Sequence, residues 1–466
     1  MLLARRNLLQ FAGCSAASLI MNRKAFGQED APNPKSNKFL LYVHFGSACG
    51  MASGLIQPVA PNVWPRGFFQ DGAPNGSNNP LLNQHTVAGQ MFFHDYLKFL
   101  APLAPEMCLV NGTPQSLDHG VAKNLQTRGN QLSTVSAEWA MAVGQFMKTD
   151  QRRNPMVVTE GVKAASVGDI TQIRARSIQD FKTITSDTEA LYKKNLDPFW
   201  EVLKGRFADV TPGTVTINSS LAGAAKYQIN TLTKGLPELD SASSDIRALD
   251  ALLNGASLNK MIAGCADRQE IEAARNETFR AQLILAGTLA KTGLASGMTV
   301  EPLYEDMHSG GSDVITARRA SAAWAYIALF WQWVKSAGLQ DDVLIVVGQE
   351  FARSPYNKDS MNLTVKDAAG ANITVNAAGR DHGLSMGTMF IGSKVPSNGR
   401  IGMIGENMAP QATRDSKGTI DASGAPFTGV NIVGSMLMRS FDDLFPTERM
   451  VRKHWPDFVP IDLIAS

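Results

Sequence analysis

Six apolar runs of strand length, separated by stretches of helical periodicity and followed by glycine-containing turns, predict an α/β protein. The expected arrangement is a three-layer sandwich, with a largely parallel central sheet covered by helices on both faces. The runs are Phe39-Leu-Leu-Tyr-Val-His-Phe, Met107-Cys-Leu-Val-Asn, Pro155-Met-Val-Val-Thr, Thr299-Val-Glu-Pro-Leu-Tyr, Val343-Leu-Ile-Val-Val and Thr388-Met-Phe-Ile. Continuous rather than alternating apolar character marks strands buried on both sides. The clearest helix covers 313–337, where Ala323, Ile327, Phe330, Trp331 and Val334 keep helical spacing and Gly338 supplies the stop. Residues 266–293 form a second long helical candidate.

The chain opens with Arg5-Arg6-Asn7-Leu8-Leu9, the core of a twin-arginine export signal. The apolar run from Leu8 to Met21 is too short to span a bilayer. Arg23 and Lys24 follow, then Ala25-Phe26-Gly27, a small-x-small pattern suited to signal peptidase. Residues 1–27 are therefore expected to be a signal peptide, and the mature protein periplasmic or extracellular. Phe11-Ala12-Gly13-Cys14 is a loose lipobox, and lipid anchoring at Cys14 is the competing expectation. Residues 28–37 are expected to be a disordered neck and 62–80 a long loop. The α/β core is expected in two parts, 38–184 and 296–466, interrupted by a mostly helical cap at 185–295. A hairpin insertion is expected at 357–380, where Leu363-Thr-Val and Ile373-Thr-Val flank an Ala-Ala-Gly turn.

The 44 Lys and Arg against 42 Asp and Glu give net +2. Without Arg5, Arg6, Arg23 and Lys24 the balance is 40 against 42, net −2, which points away from nucleic acid. No segment after the leader has the length of a membrane span. Cys49, Cys108 and Cys265 would remain, an odd, widely spaced set that is neither a disulfide framework nor a zinc ribbon.

In sheets of this kind ligands gather at the carboxyl ends of strands. Four strand edges carry His or carboxylate side chains beside glycines. They are Asp118-His119-Gly120, Glu305-Asp306-Met307-His308-Ser309-Gly310, Gly348-Gln349-Glu350-Phe351-Ala352-Arg353 and Gly379-Arg380-Asp381-His382-Gly383. Asp306, His308 and His382 form a carboxylate and two imidazoles, a donor set for one divalent metal such as zinc, manganese, calcium or iron. Glu350 and Asp381 could serve a second metal or orient the histidines. Arg353 and Arg380 could hold an anionic substrate oxygen by a bidentate contact. His44, inside the first apolar run, is expected to be a hydrogen-bonded core histidine. His85, His94 and His454 are placed in exposed or helical contexts and given no role.

The twin-arginine leader, the run Asp341-Asp-Val-Leu-Ile-Val-Val-Gly-Gln-Glu-Phe-Ala-Arg-Ser-Pro355 and the later Gly379-Arg-Asp-His-Gly383 resemble the family called domain of unknown function 1501. That family is similar in fold to the alkaline phosphatase and sulfatase superfamily. The resemblance implies an alkaline-phosphatase-like fold and a metal-dependent hydrolase of small anionic phosphate or sulfate esters. Asp306 and His308 match the Asp-x-His ligands, Glu350 takes the place of an Asp-His pair, and His382 matches the last metal-binding histidine. His119 matches a histidine after the second strand and joins Arg353 and Arg380 as a catalytic candidate. Gly399–Gly405 fits a hairpin that follows the sheet strand in the family. One departure stands out: Cys49 lies in Gly46-Ser-Ala-Cys-Gly50, where the superfamily carries a metal-binding Asp. No nucleophile stands in a family motif, although Thr113, Ser116 and Asp118 lie in its region. The competing expectation is a scaffold that has lost catalysis and binds a protein partner of the cell envelope.

Overall fold

The computed structural model describes residues 38–46, 50–57, 85–129, 138–147, 156–159, 171–184, 243–304, 313–350, 360–366, 372–378, 385–397, 399–404, 410–411, 413, 415–419, 421 and 424–465. Outside them lie the leader, the neck, the 62–80 loop, the 185–242 part of the cap, Cys49, Asp306, His308, Arg353, Arg380, Asp381 and His382.

The described strands are β1 (Phe39–Gly46), β2 (His85–Ala88), β3 (Met91–His94), β4 (Met107–Pro114), β5 (Met156–Thr159), β6 (Thr171–Ile173), β7 (Ala295–Tyr304), β8 (Val343–Gln349), β9 (Ser360–Lys366), β10 (Asn372–Ala378), β11 (Ser385–Ile391) and β12 (Gly399–Ile401). The helices are α1 (His119–Arg128), α2 (Trp139–Met147), α3 (Ser243–Leu252), α4 (Gly255–Met261), α5 (Arg268–Ala273), α6 (Glu277–Thr292), α7 (Asp313–Ser336), α8 (Gly429–Ser440), α9 (Glu448–Arg452) and α10 (Asp462–Ala465).

Eight strands form one mixed, mostly parallel sheet in the order β12-β4-β11-β8-β1-β7-β5-β6. β11 is the exception: it runs antiparallel to both β4 and β8. Direction is invisible in an apolar run, so the sixth run was expected among parallel strands. Its reversal puts Ser385, the start of β11, opposite Pro114, the end of β4. The edge where β1, β4, β7 and β8 end is thus also the edge where β11 begins. Gly399–Ile401 extends the sheet as β12, parallel to β4. The 363–365 and 373–375 runs pair antiparallel as β9 and β10.

Each face of the sheet has its own apolar layer. Phe39, Leu41, Val43 and Phe45 of β1 pack with α6 and α7; Leu40 and Tyr42 pack with α2, α8 and the C-terminal segment. Gly338 ends the α7 segment at φ 71°, a conformation that glycine adopts without penalty. The 266–293 candidate is two helices. Ala274 and Arg275 interrupt it, and the Asn276 side chain caps α6 by accepting from Phe279 N. No described helix is long and apolar enough to cross a membrane.

Candidate functional site at the carboxyl edge

Three strands carry polar side chains to one face at this edge. β1 pairs in register with β8, Tyr42 with Val346 and His44 with Gly348, so Tyr42, His44, Gly348 and Glu350 share that face. β7 joins through a bulge. Val43 pairs with Val300 and Phe45 with Leu303, leaving Glu301 and Pro302 opposite His44 alone. The extra residue re-aims Glu301, and proline, which lacks a backbone donor, suits the interrupted ladder.

α1 lies across these strand ends. Asp118 is its N-cap, accepting from Val121 N at 2.8 Å, so this acid is accounted for by helix initiation. His119, Lys123 and Gln126 follow at i, i+4 and i+7, one stripe of the helix. Each reaches a different strand. His119 Nδ1 stands 3.1 Å from Glu350 Oε1, just past β8. Lys123 Nζ donates to Glu301 Oε2 of β7 at 3.0 Å. Tyr42 Oη of β1 donates to Gln126 Oε1 at 2.5 Å, and Gln126 Nε2 also contacts Met386 Sδ at the start of β11. Gly348 makes this docking feasible, because a Cβ there would collide with Gln126 and with the Tyr42 hydroxyl.

The electrostatics differ from point to point. Burial pushes the Glu301 carboxyl up, but His44 and Lys123 outweigh it and hold the group at about 2. His44 Nδ1 is 3.7 Å from Glu301 Oε1, farther than the Lys123 ammonium at 3.0 Å. Behind this pair Glu138, buried ahead of α2, is raised to about 7 by desolvation, against the opposing pull of Arg128, a hydrogen bond from Thr299 and the charge of Lys123. Arg128 and Glu138 form a fully buried ion pair at 3.3 Å.

Of the residues expected to carry chemistry, the structure brings together His119 and Glu350. His119 is half-exposed and Glu350 buried. His44 is buried as expected, and among the described residues its nearest charged neighbour is Glu301, at 3.7 Å. His94, expected in an exposed or helical context, is a buried residue of β3. Glu301, Lys123 and Glu138 carried no expectation. The signal for Glu301 was present: an acid followed by proline inside an apolar strand run. Among the described residues no three His, Cys, Asp or Glu side chains cluster as a metal cage. Cys108 and Cys265 are buried free thiols, pushed up by burial to about 12 and about 11, which suits packing rather than nucleophilic attack.

The chain is an α/β protein with a polar site at the carboxyl edge of a mixed sheet. No protein-family model and no curated protein matches it.

Proposed function

We propose that this chain is an exported hydrolase of phosphate or sulfate esters, with an alkaline-phosphatase-like fold and one divalent metal at the carboxyl edge. The observation that carries the reading is the convergence of strand ends. Gly46, Pro114, Tyr304 and Gln349 end strands at the edge where Ser385 begins one, and the motifs 305–311, 350–353 and 379–383 are continuous in sequence with those positions. Glu350 provides the fit test for a metal. It is a buried carboxylate beside an imidazole, a donor pair of the type that a hard divalent ion takes. A carboxylate has two oxygens and can serve both a metal and a histidine.

In this reading Asp306, His308, Glu350, Asp381 and His382 would hold zinc, manganese, calcium or iron. The bound ion supplies Lewis acidity toward an ester oxygen. Glu350 accepts from His119 Nδ1 and so orients that ring, which would move the proton at the reacting group. Arg353 and Arg380 would hold the anionic ester oxygens by paired hydrogen bonds. The Arg5-Arg6 leader directs the chain to the periplasm or beyond.

A second reading, a scaffold that binds an envelope protein and turns nothing over, is favoured by one feature: Cys49 in the turn where the superfamily has a metal-binding Asp. Elemental analysis of the mature protein, purified without chelator beside a His308→Ala/His382→Ala control, separates the two. Near-stoichiometric metal that is lost in the control, with turnover of a phosphate or sulfate ester, supports the hydrolase. A folded wild type without metal or turnover overturns it in favour of the scaffold.

A further inference from the structure

α1 is docked in an unusual way for a helix at a sheet edge. Its buried residues are Ala122, Gln126, Thr127 and Arg128, so one alanine is its whole buried apolar content. Helices in folded proteins ordinarily gain most of their stability from an apolar face. Here polar anchors replace that face, and polar anchors are directional where apolar contacts are not.

The middle anchor is a part-buried ion pair, ahead of the fully buried pair of Arg128 with Glu138 at the end of the helix. Lys123 Nζ and Glu301 Oε2 are 3.0 Å apart, with side chains 26% and 14% exposed, so water screens the pair less than at an open surface. Lys123 lies one turn from His119 on the same stripe, about 6 Å along the axis. It cannot shift without carrying His119 with it. On the sheet side the partner is aimed by the β7 bulge opposite His44. Glu138 also acts on Lys123 through its charge.

We infer that Lys123 and Glu301, backed by His44, are positioning residues: their ion pair sets the rotation and height of α1 and so places the His119 ring on Glu350. This rests on reading the carboxyl edge as the functional site, and it deepens that reading by assigning three residues outside the expected set. The link is local and mechanical, with no metal or substrate needed for it to exist.

The ring of His119 reports the outcome directly. A carboxylate oxygen can only accept, so contact with Glu350 puts the proton on Nδ1, whereas free histidine in water interchanges tautomers. Ring-13C-histidine spectra of the full mature chain read that tautomer, with the His119 signal assigned by its loss in His119→Gln. Wild type is expected to show the Nδ1-protonated form. Lys123→Met and Glu301→Gln are expected to lose that signature and move toward free histidine, while Lys123→Arg keeps it. The His85 and His454 signals serve as the folding control. Should Lys123→Met fail to fold, the isosteric Glu301→Gln carries the test. A wild-type His119 signature that persists in both Lys123→Met and Glu301→Gln overturns the inference and leaves the pair a stability element alone. The same samples are assayed for metal and ester turnover. Absent metal and turnover with a signature that still depends on Lys123 sinks the hydrolase reading and keeps the positioning one; the reverse result does the opposite.

Discussion

The two faces of the central strands are built on different principles. On one face β1 presents Phe39, Leu41, Val43 and Phe45 to α7, and the contact is apolar from end to end. On the other, β1 presents Leu40, Tyr42 and His44, turning polar as the strand approaches its carboxyl end. β8 repeats the pattern on that face with Leu344, Val346, Gly348 and Glu350. Both faces carry an apolar core, and the second adds polar groups toward the carboxyl edge. Buried polar groups are costly unless paired. At this edge they are joined through α1, where His119 meets Glu350 and Lys123 meets Glu301.

The comparison breaks most readily at the apolar face. Trp324 is fully buried in α7, stands edge-on to Phe45 at 5.9 Å between ring centroids, and donates its indole N–H to Ser53 O at 2.6 Å. Trp324→Ala is expected to lower stability by about 3–5 kcal/mol, the range for emptying a large aromatic site. A chemical denaturation midpoint measures it. A loss below about 1 kcal/mol would mean that this face is not the structural one.

The next effect tests the polar face through pH. Glu138 has a folded-state value of about 7 against an ordinary 4.5, so the folded protein binds this proton more tightly than the unfolded chain does. Its contribution is complete below about 4.5 and is lost as pH rises through about 7, on the order of 3 kcal/mol in all. Glu301 has the opposite sign. Its folded value of about 2 lies below 4.5, so its contribution is present above 4.5 and is lost as pH falls through about 2. Partial exposure reduces the Glu301 effect to roughly 1 kcal/mol. Denaturation midpoints across this range should show Glu138→Gln flattening the neutral limb and Glu301→Gln flattening the acid limb. The same limb changed by both variants would contradict the separate environments.

Gly348→Ala probes the seam between α1 and the sheet. The added methyl meets Gln126 and the Tyr42 hydroxyl, so α1 must shift outward, at about 1–3 kcal/mol. Hydrogen exchange in 119–128 should rise in step with the loss. Unchanged protection there would show that α1 is held by something other than its contacts with β1 and β8.

The apolar face was the readable one. The runs of β1, β4 and β8 and the period of α7 mark their elements because a strand or helix buried against apolar neighbours needs apolar residues at fixed spacing. Strand direction carries no such signature, so the reversal of β11 was not visible. Neither was the break at Ala274–Asn276, where side-chain capping ends one helical period and starts another without a proline or glycine. At the site, His119 and Glu350 were readable as chemistry-bearing residues after strands. Their contact was not, because it depends on α1 crossing the strand ends. Lys123 reads as an ordinary helix-surface cation until the bulge at Glu301 and Pro302 turns an acid toward it, and a bulge is a property of two strands rather than of one sequence run.

The smallest expected effect on stability belongs to the residue given the largest role in chemistry. His119 is half-exposed, so His119→Asn, which keeps a donor near the Glu350 carboxylate, should change stability by less than about 1 kcal/mol. If the ring moves a proton during ester cleavage, turnover should fall by about 100-fold or more in the same variant. The two readouts pull apart only if the polar edge serves function rather than folding. A stability loss as large as that of Trp324→Ala would place His119 among the structural residues. Unchanged turnover in a hydrolysing wild type would take the proton transfer away from His119 and leave it an anchor of α1.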